Sequence, residues 1–434
     1  MSKEVPGAPD RRRFLGMTAA GAATLGLGFA ASGRGSAPAH GMGTSALPPS
    51  IAALSSVLDK AVPIGDDEYR ARLAKAQRLM AEQGMDALFV GAGTSLKYFV
   101  DLNWWGSERT AGVLLARHGD PVYITPDFER SRALEQIRFG KDVRTWQENE
   151  SPFALIADTL RGMGVATGTL GIEEKVPFFI AEGIAQAAPQ LKLANATPVT
   201  AGCRAVKSEA EIALLQIAND ATLACYRAVW QALQPGMTQQ DVQALVAQAY
   251  GRMGVRGAVD INVGKYTAQP HGSIEPQRIV EGTVVILDDG CQVHGYTSDI
   301  TRTFVLGKAT DKMKRVFALV QKAQIAAREA ARTGGMMGDI DAAARKVIAD
   351  GGYGPGYRFF THRLGHGIGM DMHEWYYAVG DSRQPILSNM TLSDEPGVYI
   401  PGEFGVRLEE CMVTTPEGGR WFTPQSPSIE QPFG

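Results

Sequence analysis

The chain has no long apolar run, no concentration of basic residues and little cysteine. Its mildest apolar stretch, Met17 to Ala31, is rich in Gly and Ala and is too short to cross a bilayer, which takes about 20 apolar residues. Lys and Arg number 43 against 46 Asp and Glu, a formal net charge of -3, and they are scattered along the chain. No basic patch is legible, so neither nucleic acid nor an acidic partner is indicated. The four cysteines, Cys203, Cys225, Cys291 and Cys411, permit disulfides in an oxidising compartment but assign no pairing. Cys225 lies in an apolar helical pattern and reads as a small buried hydrophobe. What remains is the composition of a globular protein, 44% hydrophobic and 21% charged over 434 residues. That length exceeds one ordinary core and indicates two domains.

The first forty residues differ from the rest. Asp10-Arg11-Arg12-Arg13-Phe14-Leu15-Gly16 precedes the Gly/Ala stretch, and Ala37-Pro38-Ala39 offers a small-residue cleavage site. Residues 1–39 therefore look like a twin-arginine export signal. No cysteine lies nearby for a lipid anchor. The expected destination is the periplasm or the exterior, reached folded, with no membrane attachment once the signal is removed.

A Ser/Pro/Ala-rich linker is expected over 40–63. Beyond it, helical patterns near 66–83, 128–137, 153–163 and 178–187 alternate with apolar strands near 87–90, 111–115, 122–124 and 169–172, which indicates an α/β layer over 64–200. A second domain, 201–434, opens with a long helix capped by Ser208, followed by one capped by Thr238. A second helix pair is expected at 311–332 and 339–349. The joints Pro235-Gly236-Met237 and Gly334-Gly335-Met336 look alike, as a duplicated half-domain would have them.

Two pairs of acids dominate the second domain. Val284 to Gly290 runs as an apolar strand into Asp288 and returns as Tyr296 to Phe304; a turn centred between Val293 and His294 sets Asp288 opposite Asp299. Glu395 to Ile400, turning at Pro401-Gly402-Glu403-Phe404 and returning to Glu409, sets Glu395 opposite Glu409. Directly opposed residues sit roughly 4.5–5.5 Å apart at Cβ, and buried charges are paired or coordinate metals. A pair of divalent cations answers both demands, since two metals use bridging carboxylates and hold a water as nucleophile. Strand alternation admits only one of Asp288 and Asp289, and one of Glu409 and Glu410; the hairpin geometry selects Asp288 and Glu409. Four carboxylates with one imidazole make a hard, oxygen-rich site that suits manganese, with iron, cobalt or zinc compatible.

The order Asp288, Asp299, His366, Glu395, Glu409, within the strings Leu287-Asp288-Asp289-Gly290, Ser298 to Phe304, His362 to His373, Glu395-Pro396-Gly397 and Val406-Arg407-Leu408-Glu409, resembles the pita-bread metallopeptidases. That family includes Xaa-Pro aminopeptidases, prolidases, methionine aminopeptidases and the metal-free creatinases. Creatinase-like members lose the ligands; this chain keeps all five. The resemblance implies an α+β fold in which a creatinase-type N-terminal domain precedes a curved antiparallel sheet with two helix pairs. It implies those five residues as ligands of two metals, with Asp299 and Glu409 bridging. It further implies that His271, His362 and His373 surround the substrate and that Glu395 accepts a proton. Other histidines, such as His118 and His294, read as structural.

Arg407 shares the strand face of Glu409 and can neutralise the acids or hold substrate. Proline carries no amide hydrogen and fixes φ, so a pocket for its ring is required; Trp104, Trp105 and Tyr266 are candidates for its wall. In related enzymes a neighbouring subunit's N-terminal domain can close the site, so a dimer or tetramer is expected. The leading expectation is an Xaa-Pro aminopeptidase acting on peptides with proline in second position. The alternatives are an Xaa-Pro dipeptidase, a hydrolase or lyase acting on a small metabolite, and a catalytically silent binding protein.

Overall fold

The computed structural model describes residues 46–434. The export signal expected over 1–39 and the start of the expected linker lie outside the described residues. The remainder of that linker is mostly exposed but is anchored at two buried residues, Ile51 and Ala61. A short helix, Pro49–Ala52, buries Ile51 completely, and Ser50 donates its hydroxyl to the Ala228 carbonyl at 2.7 Å. The helix docks on the helices Glu209–Ala232 and Gln239–Met253.

The N-terminal region forms the α/β layer expected from its alternating pattern. Six strands lie in the order Asp142–Trp146, Val122–Pro126, Gly112–Ala116, Ala87–Gly91, Gly168–Ile172, Leu191–Asn195. Ala87–Gly91 runs parallel to Gly168–Ile172 and antiparallel to Gly112–Ala116. The inner strands Ala87–Gly91, Gly112–Ala116 and Val122–Pro126 are buried along their whole length, which is why they read as unbroken apolar runs. The edge strands Asp142–Trp146 and Leu191–Asn195 are polar and partly exposed, and they escape a hydrophobic-pattern reading for that reason. The boundary expected near residue 201 falls inside the helix Thr197–Arg204, whose Ala201 and Cys203 are buried.

Beyond it, two helix pairs, Glu209–Ala232 with Gln239–Met253 and Asp311–Ala330 with Met337–Ile348, back antiparallel strands. Ser208 and Glu211 form a reciprocal cap at the start of the first helix, and Thr238 and Asp241 do so at the second, each worth about 1 kcal/mol. Gly236 and Gly334, at the matching joints, share a φ of 91°, a conformation glycine adopts without strain. The strands form two three-stranded sheets, a hairpin of Gly397–Ile400 with Phe404–Arg407, and a five-stranded sheet ordered Glu374–Ala378, Gly365–Gly367, Thr391–Asp394, Glu410–Thr415, Gly418–Trp421. All four cysteines are buried and unpaired. Among the described residues no helix is long and apolar enough to cross a membrane.

Candidate metal centre

In the first hairpin Val284–Asp288 pairs with Arg302–Val305, Leu287 facing Arg302, and Val293 faces Tyr296. The turn is therefore His294-Gly295, both left-handed at φ 47° and 92°, the conformation that suits the twist of a two-residue hairpin. This corrects the expected register. The turn falls one residue later, so Asp288 faces Thr301, whose hydroxyl bonds to it, and Asp299 is a diagonal neighbour. Partners shifted by two keep the same face, so the acids still converge: ligand oxygens of Asp288, Asp299 and Glu409 lie within 4.8 Å of one another.

The second hairpin has the expected register. Gly397 faces Arg407, and further out Asp394 faces Glu410, which sets Glu395 against Glu409. Phe404, expected in the turn, is the first residue of the returning strand. His366 sits on the short strand Gly365–Gly367. Its Nδ1 lies 3.0 Å from the Gly367 carbonyl oxygen and carries the proton there, which leaves Nε2 3.4 Å from Glu395 and 3.7 Å from Asp299. His366, Glu395 and Glu409 form a second group of ligand atoms within 4.8 Å, and Asp299, His366 and His373 a third.

The charges do not balance. Asp299 and Glu409 are buried, and Arg407 is the cation beside them, ion-paired to Asp288. Burial works to raise the Asp288 pKa, but Arg407 and the Thr301 hydroxyl outweigh it and hold this carboxyl below its ordinary value. Burial, then the charges of Asp288 and Glu395, push Asp299 well above its own. Burial, Asp299 and Glu395 do the same to Glu409, and burial lifts Glu395 to about 7 against the pull of Arg407. Thr301, with a single proton, bonds to both Asp288 and Glu409, the latter at 2.6 Å. Four carboxylates share one guanidinium, so positive charge is missing at the place where the ligand atoms converge. Burial, then His373, lowers His366 to about 3, the neutral state a metal ligand requires. The donor set fits divalent cations.

A cleft of about 360 Å³ opens over these residues and is also lined by His271, His362, Arg363 and His373. His271 is exposed to it. The His373 ring centre lies 4.0 Å from that of His366. His362 differs from the sequence expectation. Arg407 donates to the Tyr399 hydroxyl at 3.0 Å, which turns the tyrosine proton toward His362 Nε2 at 2.7 Å, and Nδ1 is 2.7 Å from the Arg363 carbonyl oxygen. Both ring nitrogens lie within hydrogen-bond distance of protein oxygens, so in this structure His362 links Tyr399 and the Arg363 backbone while its ring lines the cleft. Arg407 is spent on Asp288, Thr301, Tyr399 and the Pro270 carbonyl; it neutralises the acids.

Trp104 and Trp105 do not line the cleft. They border a separate space of about 30 Å³ with Lys97, Gly295 and Met370, and Trp105 is 73% exposed. Tyr266 lines another groove. The metal cleft is also lined by Asp260 and Arg363, which sequence reasoning passed over, and by Asp289, which it excluded. Asp289 was expected to face away, but its φ of 118° breaks the strand alternation, and burial pushes its carboxyl up to about 6. Glu410 obeys the alternation and pairs with Arg302 behind the sheet at 2.8 Å.

Two family models match the chain: Creatinase/Prolidase N-terminal domain over residues 72–206 and Metallopeptidase family M24 over residues 213–416. The Probable dipeptidase PepE of Mycobacterium tuberculosis is 33% identical over 356 residues, which cover 81% of this chain and 93% of that protein. This chain belongs to metallopeptidase family M24. An Xaa-Pro dipeptidase of Lactobacillus delbrueckii subsp. lactis is 29% identical over 82% of this chain and 98% of its own length. The crystal structure of dipeptidase PepE from Mycobacterium ulcerans matches with a TM-score of 0.78 at 30% identity, covering 85% of this chain and 99% of that one. As an M24 member the chain is a peptidase hydrolase with the pita-bread fold. The family uses a dinuclear divalent metal site, and this chain has acidic and histidine groups placed to bind metal.

Proposed function

We propose that this M24 peptidase is a two-metal Xaa-Pro dipeptidase. The sequence put an aminopeptidase first. Relatives named as dipeptidases, aligned over nearly their full length, favour the alternative. One observation in the cleft carries the preference. Arg363 lines it, stacked 4.1 Å from the Tyr377 ring centre, and ion-pairs with no acid among the described residues. A dipeptide ends in a free carboxylate at its proline, and an uncommitted guanidinium is the group that grips one. A longer peptide offers no such charge there.

In this reading Asp288, Asp299 and Glu409 would hold one ion, and Asp299, His366, Glu395 and Glu409 would hold the other. The set suits manganese best. Bound ions would polarise the scissile carbonyl and supply a nucleophilic water near neutral pH. The chain's own residues do the rest. Glu395 takes the proton that the attacking water loses. His271, on the cleft wall, orients the scissile carbonyl. His373, with no hydrogen-bond partner among the described residues, relays the proton that Glu395 took to the proline nitrogen as it leaves. His362 keeps the Arg363 backbone fixed, so that the guanidinium meets the carboxylate at a set distance.

The proposal includes export by the twin-arginine route, on the sequence of residues 1–39 alone, and assembly as a dimer or tetramer. Replacing Arg11 and Arg12 together by lysine should strand folded precursor in the cytoplasm; unchanged export would remove that part. The activity itself is tested by a peptide panel. Xaa-Pro should be cleaved with higher kcat/KM than Xaa-Pro-Xaa or Xaa-Ala, and a preference for the tripeptide would return the assignment to an aminopeptidase.

A further inference from the structure

The loop that carries His373 is tied down by a cluster of buried charges. Between the strands Gly365–Gly367 and Glu374–Ala378 the chain leaves the sheet, and the pairing jumps from His366 with Tyr377 to Gly367 with Glu374. The Glu374 carboxylate turns back under the loop, accepting from the backbone N–H groups of Met370 and Asp371 at 3.0 and 3.2 Å. Its other partners are Arg204 and Lys207, the latter at 2.8 Å, and all three side chains are buried. Asp371 reaches the opposite way. It accepts from the Thr94 hydroxyl at 2.7 Å, from Arg204 at 2.9 Å and from Lys175. Arg204 also donates to Ser95 at 3.1 Å. Thr94 and Ser95 begin the helix Thr94–Val100 of the N-terminal domain, Lys175 follows its strand Gly168–Ile172, and Arg204 ends the connecting helix.

Buried ion pairs add little stability over apolar packing of the same shape, because desolvation consumes the Coulombic gain. In this loop they constrain geometry, since displacing one member would leave another buried without its partner. Here the fixed element is the stretch Met370 to Glu374, and His373 lies within it, beside His366. We infer that Asp371 and Glu374 are positioning residues, through which the N-terminal domain sets the place of His373 in the cleft. The inference rests on the proposed proton-donor role of His373. It gives the N-terminal domain a part in turnover although none of its side chains lines the cleft among the described residues.

The test uses the full-length, metal-loaded protein and spares the buried members, whose loss would leave a partner charge buried and uncompensated. Lys175 is half exposed and belongs to the N-terminal domain. Lys175→Met and Asp371→Asn should each lower kcat about 10–100-fold, the scale of a catalytic group misplaced by about 1 Å, with KM nearly unchanged and both ions retained. Amide exchange across residues 368–374 should quicken in both. Lys175→Arg should restore both readouts, and Lys192→Met, at an exposed lysine outside the cluster, should match the parent protein. Parent-like kcat and exchange in Lys175→Met and Asp371→Asn would overturn the inference, and so would ion loss in step with activity. Should the parent cleave some peptide other than Xaa-Pro, the same comparison on that peptide, with the exchange readout, separates a wrong substrate from a wrong tether.

Discussion

Arg407, buried, forms an ion pair with the partly exposed Asp288 at the base of the cleft, and among the described residues no lysine or arginine pairs with Asp299, Glu395 or Glu409. One carboxylate is neutralised by the protein and three are left for something else.

This imbalance sets a pH dependence in the metal-free protein. Glu395 is raised from 4.5 to about 7, mainly by burial, and Asp299 and Glu409 are raised well above their ordinary values. A carboxyl raised on folding stabilises below its unfolded pKa and loses that contribution as pH climbs through the folded one. Asp288, depressed, has the opposite sign, and its contribution is lost only in acid. The Tm of chelated protein should therefore fall between pH 4.5 and 7. Glu173 and Glu410, each raised to about 7 by burial outside the centre, impose a slope on both forms. The measurement that counts is the gap between loaded and metal-free Tm, which should widen with pH; a constant gap would mean that the acids are not the ligands.

The second hairpin was legible because Pro401-Gly402 marks its turn and an even register follows. The first was misplaced by one residue, because Val293-His294-Gly295-Tyr296 carries no Asn-Gly signal and the left-handed His294 is visible only in the structure. The site survived the error because partners moved by two and every side chain kept its face. Asp289 escaped because one backbone angle overrode the alternation. Arg363 carried a signal that went unused, an arginine beside His362 inside the histidine motif. The ties from Lys175 and Arg204 to Asp371 span 196 and 167 residues, and no local pattern announces them.

Two of the three histidines of that motif, His362 and His373, should separate on mutation. His373→Ala should keep both ions and lower kcat about 10²–10⁴-fold, the scale of a lost acid–base group. His362→Ala should raise KM, because it frees Tyr399 and the Arg363 backbone. Metal analysis beside steady-state kinetics checks both. Ion loss in His373→Ala would make it a ligand, as its place beside Asp299 and His366 permits.

Arg363→Met should weaken the dipeptide selectively. A charged hydrogen bond is worth about 1.5–3 kcal/mol, so KM for Xaa-Pro should rise roughly 10–100-fold while the tripeptide is little affected. Equal losses on both substrates would deny Arg363 the carboxylate.

The most direct measurement is a manganese titration of chelated protein, followed by hydrolysis of an Xaa-Pro dipeptide. Turnover should rise from nothing and saturate at two ions per chain, and Asp299→Ala, which removes a carboxylate shared by both proposed ion sites, should bind neither ion tightly and stay inactive. Full activity at one ion per chain, or two ions and normal turnover in Asp299→Ala, would contradict the account.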